Sequence, residues 1–70
     1  MLAFTINING KINSRALWNF VKHYEGVNVT DLGNVTYVYG NAKSFDDLID
    51  VICLASMFGD IEYDYEYPTI

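Results

Sequence analysis

The chain predicts an α+β fold with the order strand, helix, strand, strand, helix, strand. Three observations carry that expectation. Leu2, Phe4, Ile6 and Ile8 alternate with Ala3, Thr5, Asn7 and Asn9, the period of a strand with one apolar face. Two later stretches repeat apolar residues at helical spacing. The last stretch, Ile61-Glu62-Tyr63-Asp64-Tyr65-Glu66-Tyr67, alternates acid and aromatic without a break.

The first strand ends at Asn9-Gly10, a turn signal. Ser14 is placed to cap the first helix. Ala16, Leu17, Phe20, Val21 and Tyr24 then form its apolar stripe, with Trp18 at the border as a partly buried packing residue. Gly26 supplies the stop. Val27-Asn28-Val29-Thr30 reads as the second strand and Val35-Thr36-Tyr37-Val38-Tyr39 as the third, ended by Gly40-Asn41. Ser44 opens the second helix, with Asp47 three residues on in a short capping box. Asp46 and Asp47 also suit the positive helix N-terminus. Leu48, Ile49, Ile52, Ala55 and Met57 supply its expected core face. Val51, Leu54 and Phe58 widen that face beyond the need of one sheet. Gly59 ends the helix, and Pro68 is placed to end the last strand.

Two right-handed crossovers joined by a hairpin give the ferredoxin-like split arrangement, βαββαβ. The expectation is a four-stranded antiparallel sheet of order 4-1-3-2 with both helices on one face. Residues 1–70 make one small α/β sandwich domain. Successive strand side chains point to opposite faces. The helix-covered face then takes Leu2, Phe4, Ile6 and Ile8 with Tyr63, Tyr65 and Tyr67. The open face takes Thr5 and Asn7 beside Glu62, Asp64 and Glu66.

The central hairpin decides where the remaining tyrosines go. A two-residue turn at Gly33-Asn34 pairs Val29 with Val38 and sends Tyr37, Tyr39 and Val35 to the open face. A three-residue turn pairs Val29 with Tyr37 and turns the tyrosines inward, because a one-residue slip exchanges the faces. The two-residue turn is favoured because it collects valines on the helix side.

Nine acidic residues face four basic ones, a net charge of −5. Lys11, Arg15, Lys22 and Lys43 are scattered, whereas phosphate binding draws on clustered Lys and Arg. Direct nucleic-acid binding is therefore not expected, and a basic protein surface is the expected partner. A single cysteine, Cys53, forms no internal disulfide. It lies in an apolar run and reads as a small buried side chain in a reduced, cytoplasmic setting. No run reaches membrane-spanning length, so no membrane partner is expected. The sequons at Asn28 and Asn34 are read as incidental.

No cofactor, metal or catalytic site is expected. His23 has no nucleophile beside it, and neither it nor Cys53 has metal-ligand spacing. Helix capping accounts for Asp46 and Asp47, and the glycine-containing calcium loop that Asp50 would need is missing. Alternate acids on the last strand stand about 6.5–7 Å apart, but an open sheet lacks the concave pocket of a glycosidase. Phosphate-loop, dinucleotide and nucleophile-elbow patterns are absent. RNA-recognition domains share this topology and carry stacking aromatics on the third strand, as Tyr37 and Tyr39 do here. The basic and glycine residues of their motif are missing, and the acids repel phosphate.

The leading expectation is a non-enzymatic protein-binding module. Tyr37, Tyr39, Glu62, Asp64 and Glu66 would form its contact surface, tyrosine giving large area at low entropy cost. One concrete form is a phage-type inhibitor whose Glu62, Asp64 and Glu66 stand in for phosphates in the groove of a nucleic-acid-binding protein. The alternative is a self-assembling subunit, a homo-oligomer joined through Val51, Leu54 and Phe58.

Overall fold

The computed structural model describes residues 2–66. Its elements are β1 (Leu2–Asn9), α1 (Ser14–Val21), β2 (Val27–Asp31), β3 (Val35–Ala42), α2 (Phe45–Ser56) and β4 (Asp60–Glu66). The four strands form one antiparallel sheet in the order β2-β3-β1-β4, which is the expected order read from the other edge. Tyr67 and Pro68 lie outside the described residues.

Alternate residues of β1 decide the layering. Leu2, Phe4, Ile6 and Ile8 are buried, and they join Leu17 and Val21 of α1 and Leu48, Val51 and Ala55 of α2 in one core cluster. Both helices therefore pack on the same side of the sheet. Val27, Val38 and Ala42 complete the core from β2 and β3. Burying a side chain of this size contributes about 1.5–3 kcal/mol.

The central hairpin has the two-residue turn. Leu32 N–H donates to the Val35 carbonyl at 2.9 Å, leaving Gly33 and Asn34 between them. Gly33 has φ +94° and Asn34 does not have positive φ, the pattern of a type II′ hairpin turn. The Asp31 carboxylate supports it by accepting the Gly33 N–H at 2.8 Å. Val29 consequently pairs with Val38 and Thr30 with Tyr37.

Several local expectations are corrected. Asn13, not Ser14, caps α1, its side chain accepting the Ala16 N–H at 3.1 Å. Ser14 is the first helical residue, and its hydroxyl donates to Asp31 at 3.0 Å. Helix α1 stops at Val21, well before Gly26, because the Tyr24 N–H turns back to the Val21 carbonyl. Phe20 is exposed, although its ring packs edge-on against Phe58 at 6.2 Å. Gly40 does not end the third strand but lies inside it. A Cβ there would meet the Gly26 carbonyl oxygen at 1.8 Å, so the residue is glycine because two backbone segments touch.

In α2 the cap holds as expected, Ser44 accepting the Asp47 N–H at 3.2 Å. The buried stripe is rotated from the expected one. Leu48, Val51 and Ala55 form it, while Ile49 and Met57 are exposed at 42% and 76%. Cys53 is also exposed. It shares the solvent side with Ile49 and Met57, since the buried residues sit on the opposite face of a 3.6-residue helix.

Candidate protein-binding face

The strand register lays out the face of the sheet away from the helices in rows. Asn28, Tyr39, Thr5 and Asp64 follow one another across β2, β3, β1 and β4. The next row is Thr30, Tyr37, Asn7 and Glu62. Flanking rows place Asn41, Ala3 and Glu66 at one end and Val35, Asn9 and Asp60 at the other. The face thus changes across its width, from tyrosine through amide and hydroxyl to carboxylate.

All five partner-contact candidates fall on this face. Tyr39 is 40% exposed, and Tyr37 is half-buried beside it. The Tyr39 hydroxyl lies 3.3 Å from the Thr30 hydroxyl, a diagonal contact between neighbouring strands that fixes the ring tip. Glu62, Asp64 and Glu66 are exposed. Because Ala3 and Thr5 are small, they leave a shallow groove between the Tyr39 ring and the carboxylates of Asp64 and Glu66. Asn7 stands between Tyr37 and Glu62, and its side-chain oxygen is buried without a hydrogen-bond partner.

Charge follows the layers. No Lys or Arg occupies any strand, while Asp31, Asp60, Glu62, Asp64 and Glu66 do. The four other acids, Glu25, Asp46, Asp47 and Asp50, match the four bases Lys11, Arg15, Lys22 and Lys43. The whole formal charge of −5 is therefore held by strand residues. The described ion pair, Lys43 to Glu25 at 2.8 Å, lies outside the strands. It lowers the Glu25 pKa and raises that of Lys43, and both groups are too exposed for it to hold the fold together.

Asp31 does not belong to the open face; it pairs with the buried Thr36 and reaches toward α1. The Gly33 N–H, then the Ser14 hydroxyl, holds its carboxyl below the usual range. Away from the sheet, burial, reinforced by Asp50 and Asp47, raises the Tyr24 phenol.

The oligomer candidates are placed differently from one another. Val51 has no exposed surface, and Leu54 and Phe58 are half-buried against the core. Large apolar side chains exposed on α2 and its C-cap include Phe45, Ile49 and Met57. His23 is exposed in the turn after α1. Among the described residues no group of three His, Cys, Asp or Glu converges as a metal site would require.

Two features of the face escaped the sequence reading. Asp60 extends the acidic row by one period-2 step, a signal hidden because its neighbour Gly59 reads as a helix stop. Thr30 as the partner of the Tyr39 hydroxyl required the hairpin register. No protein-family model matches the chain, and no curated protein or solved structure matches it either.

Proposed function

We propose that this chain is a non-enzymatic binding module, of ferredoxin-like type, that presents its open sheet face to a basic protein surface. The observation that carries this reading is the row register, which sets Tyr39 and Asp64 on either side of Thr5, and Tyr37 and Glu62 on either side of Asn7. Exposed tyrosine supplies contact area, and the unopposed carboxylates supply attraction to Lys and Arg. A row of acids spaced about 6.5–7 Å apart along one strand is close to the roughly 7 Å spacing of successive phosphates. The favoured partner is a nucleic-acid-binding protein whose phosphate groove receives Glu62, Asp64 and Glu66.

The same face disfavours nucleic acid itself, since strand acids without strand bases repel phosphate. Its groove is shallow, which suits a protein surface better than an enclosed substrate. The self-assembly reading loses support because Val51 is spent on the core.

The test is affinity capture from host extract with the native chain and with a Glu62→Lys, Asp64→Lys, Glu66→Lys variant. Native chain should retain a partner that added DNA or RNA displaces, and that high salt releases. The variant should lose it while its thermal unfolding stays within a few degrees of native. Capture undiminished by the triple reversal would falsify the reading.

A further inference from the structure

The ladder geometry fixes which backbone groups of β4 face outward. Asn41 N–H donates to the Gly26 carbonyl, and Gly10 N–H to the Asn34 carbonyl. Hydrogen bonding alternates along a central strand. Tyr37, Tyr39 and Asn41 therefore bond toward β2, and Phe4, Ile6 and Ile8 bond toward β3. That leaves Ala3, Thr5, Asn7 and Asn9 to bond Glu66, Asp64, Glu62 and Asp60. The N–H and C=O groups of Ile61 and Tyr63 then point away from the sheet. The Tyr65 N–H agrees with this parity, since it donates to the Asp64 carboxylate at 2.9 Å.

Strand β4 is an edge of the sheet. Ile61 and Tyr63 offer it an open row of backbone donors and acceptors, and the Tyr63 side chain, on the helix side by register, is 54% exposed. On the other side the same strand carries Asp60, Glu62, Asp64 and Glu66. We propose that this edge accepts an added strand from a partner protein, an extended segment in which basic and apolar residues alternate. The partner's backbone would pair with Ile61 and Tyr63. Its Lys or Arg side chains would stand opposite Glu62 and Asp64, and its apolar side chains opposite Tyr63.

Charge selects this occupant over a second copy of the chain. Antiparallel pairing of β4 with itself about Tyr63 sets Glu62 opposite Asp64 twice, and like charges directly opposite are destabilising. A basic segment meets the same positions with opposite charge. The acids that keep copies apart thus admit a complementary strand. The inference rests on the acidic-face reading and names the element that would read it.

The test uses the full chain and a seven-residue acetylated peptide alternating Lys and Val. Free protein should show fast amide exchange at Ile61 and Tyr63. Peptide should protect both, with Glu62 protected throughout. A peptide of the same composition with its Lys and Val in separate blocks should bind about tenfold more weakly, the loss expected when about two cross-strand side-chain pairs with Glu62, Tyr63 and Asp64 are mismatched. Tyr63→Pro, which removes an outward N–H and is tolerated at an edge, should weaken the alternating peptide by a similar factor. Peptide shifts confined to Tyr37, Tyr39 and Thr5 without new protection at Ile61 and Tyr63 would overturn the edge inference and leave the face reading standing. Equal binding of the two peptides, or no binding, would also overturn it. So would protection of Ile61 and Tyr63 by self-association in the absence of peptide.

Discussion

Gly26 and Gly40 touch through their backbones, so closely that a Cβ on Gly40 would lie 1.8 Å from the Gly26 carbonyl oxygen. Gly40 has φ +139° and Gly26 φ +81°, so each is also in a conformation that side chains resist. The contact joins the turn after α1 to the middle of β3, where the Asn41 N–H meets the Gly26 carbonyl at 3.0 Å. Replacing Gly40 with Ala must separate these segments. The expected loss is at least about 3 kcal/mol, measured as a collapse of the urea midpoint. A variant within about 1 kcal/mol of native would contradict this close approach.

Thr36 is fully buried opposite Ile8, and its hydroxyl has no hydrogen-bond partner. Thr36→Val keeps the shape and removes a stranded polar group. It should stabilise the protein by about 1 kcal/mol, raising Tm by roughly 4–8 °C for a chain of this size. Calorimetry that finds the variant less stable would mean that the hydroxyl is satisfied in solution.

Asp31 links the hairpin turn to the start of α1 through Gly33 and Ser14. Its carboxyl titrates below the ordinary value of 3.8 in the folded state. Its contribution is thus present above the unfolded pKa and is lost as pH falls through the folded one. Asp31→Asn should flatten the fall in stability below about pH 4 and leave the slope near neutrality unchanged. Urea unfolding at several acidic pH values reads this directly, and identical acid limbs in the two proteins would count against it.

Cys53 sits on the solvent side of α2. A thiol-reactive dye should modify it in native buffer about as fast as in denaturant. Protection that disappears only on unfolding would place it in the core.

The layers of the fold were legible in the sequence because two periods dominate it. The period-2 run from Leu2 to Ile8 and the acid–tyrosine run fixed which side chains share a face. The valines at 27, 29 and 38 were enough to choose the hairpin register, and with it the open-face position of Tyr37 and Tyr39. What failed was local. The stripe of α2 is so broadly apolar that Ile49 and Met57 fit the core as well as Val51 did, and only packing chose among them. Gly40 reads as a strand end because the sequence does not reveal which carbonyl crosses it. Tyr63 was placed on the correct face, but at an edge strand that face is only partly covered.

The separation of charge by layer has a consequence for approach through solution. Strands that carry acids without bases, four of those five acids on the open face, give the molecule an electric moment running through its thickness. In the field of a cationic surface that moment exerts a torque. The domain would turn while still some ångströms away and arrive with its strands leading, so that the search over orientations is shortened before any side chain makes contact.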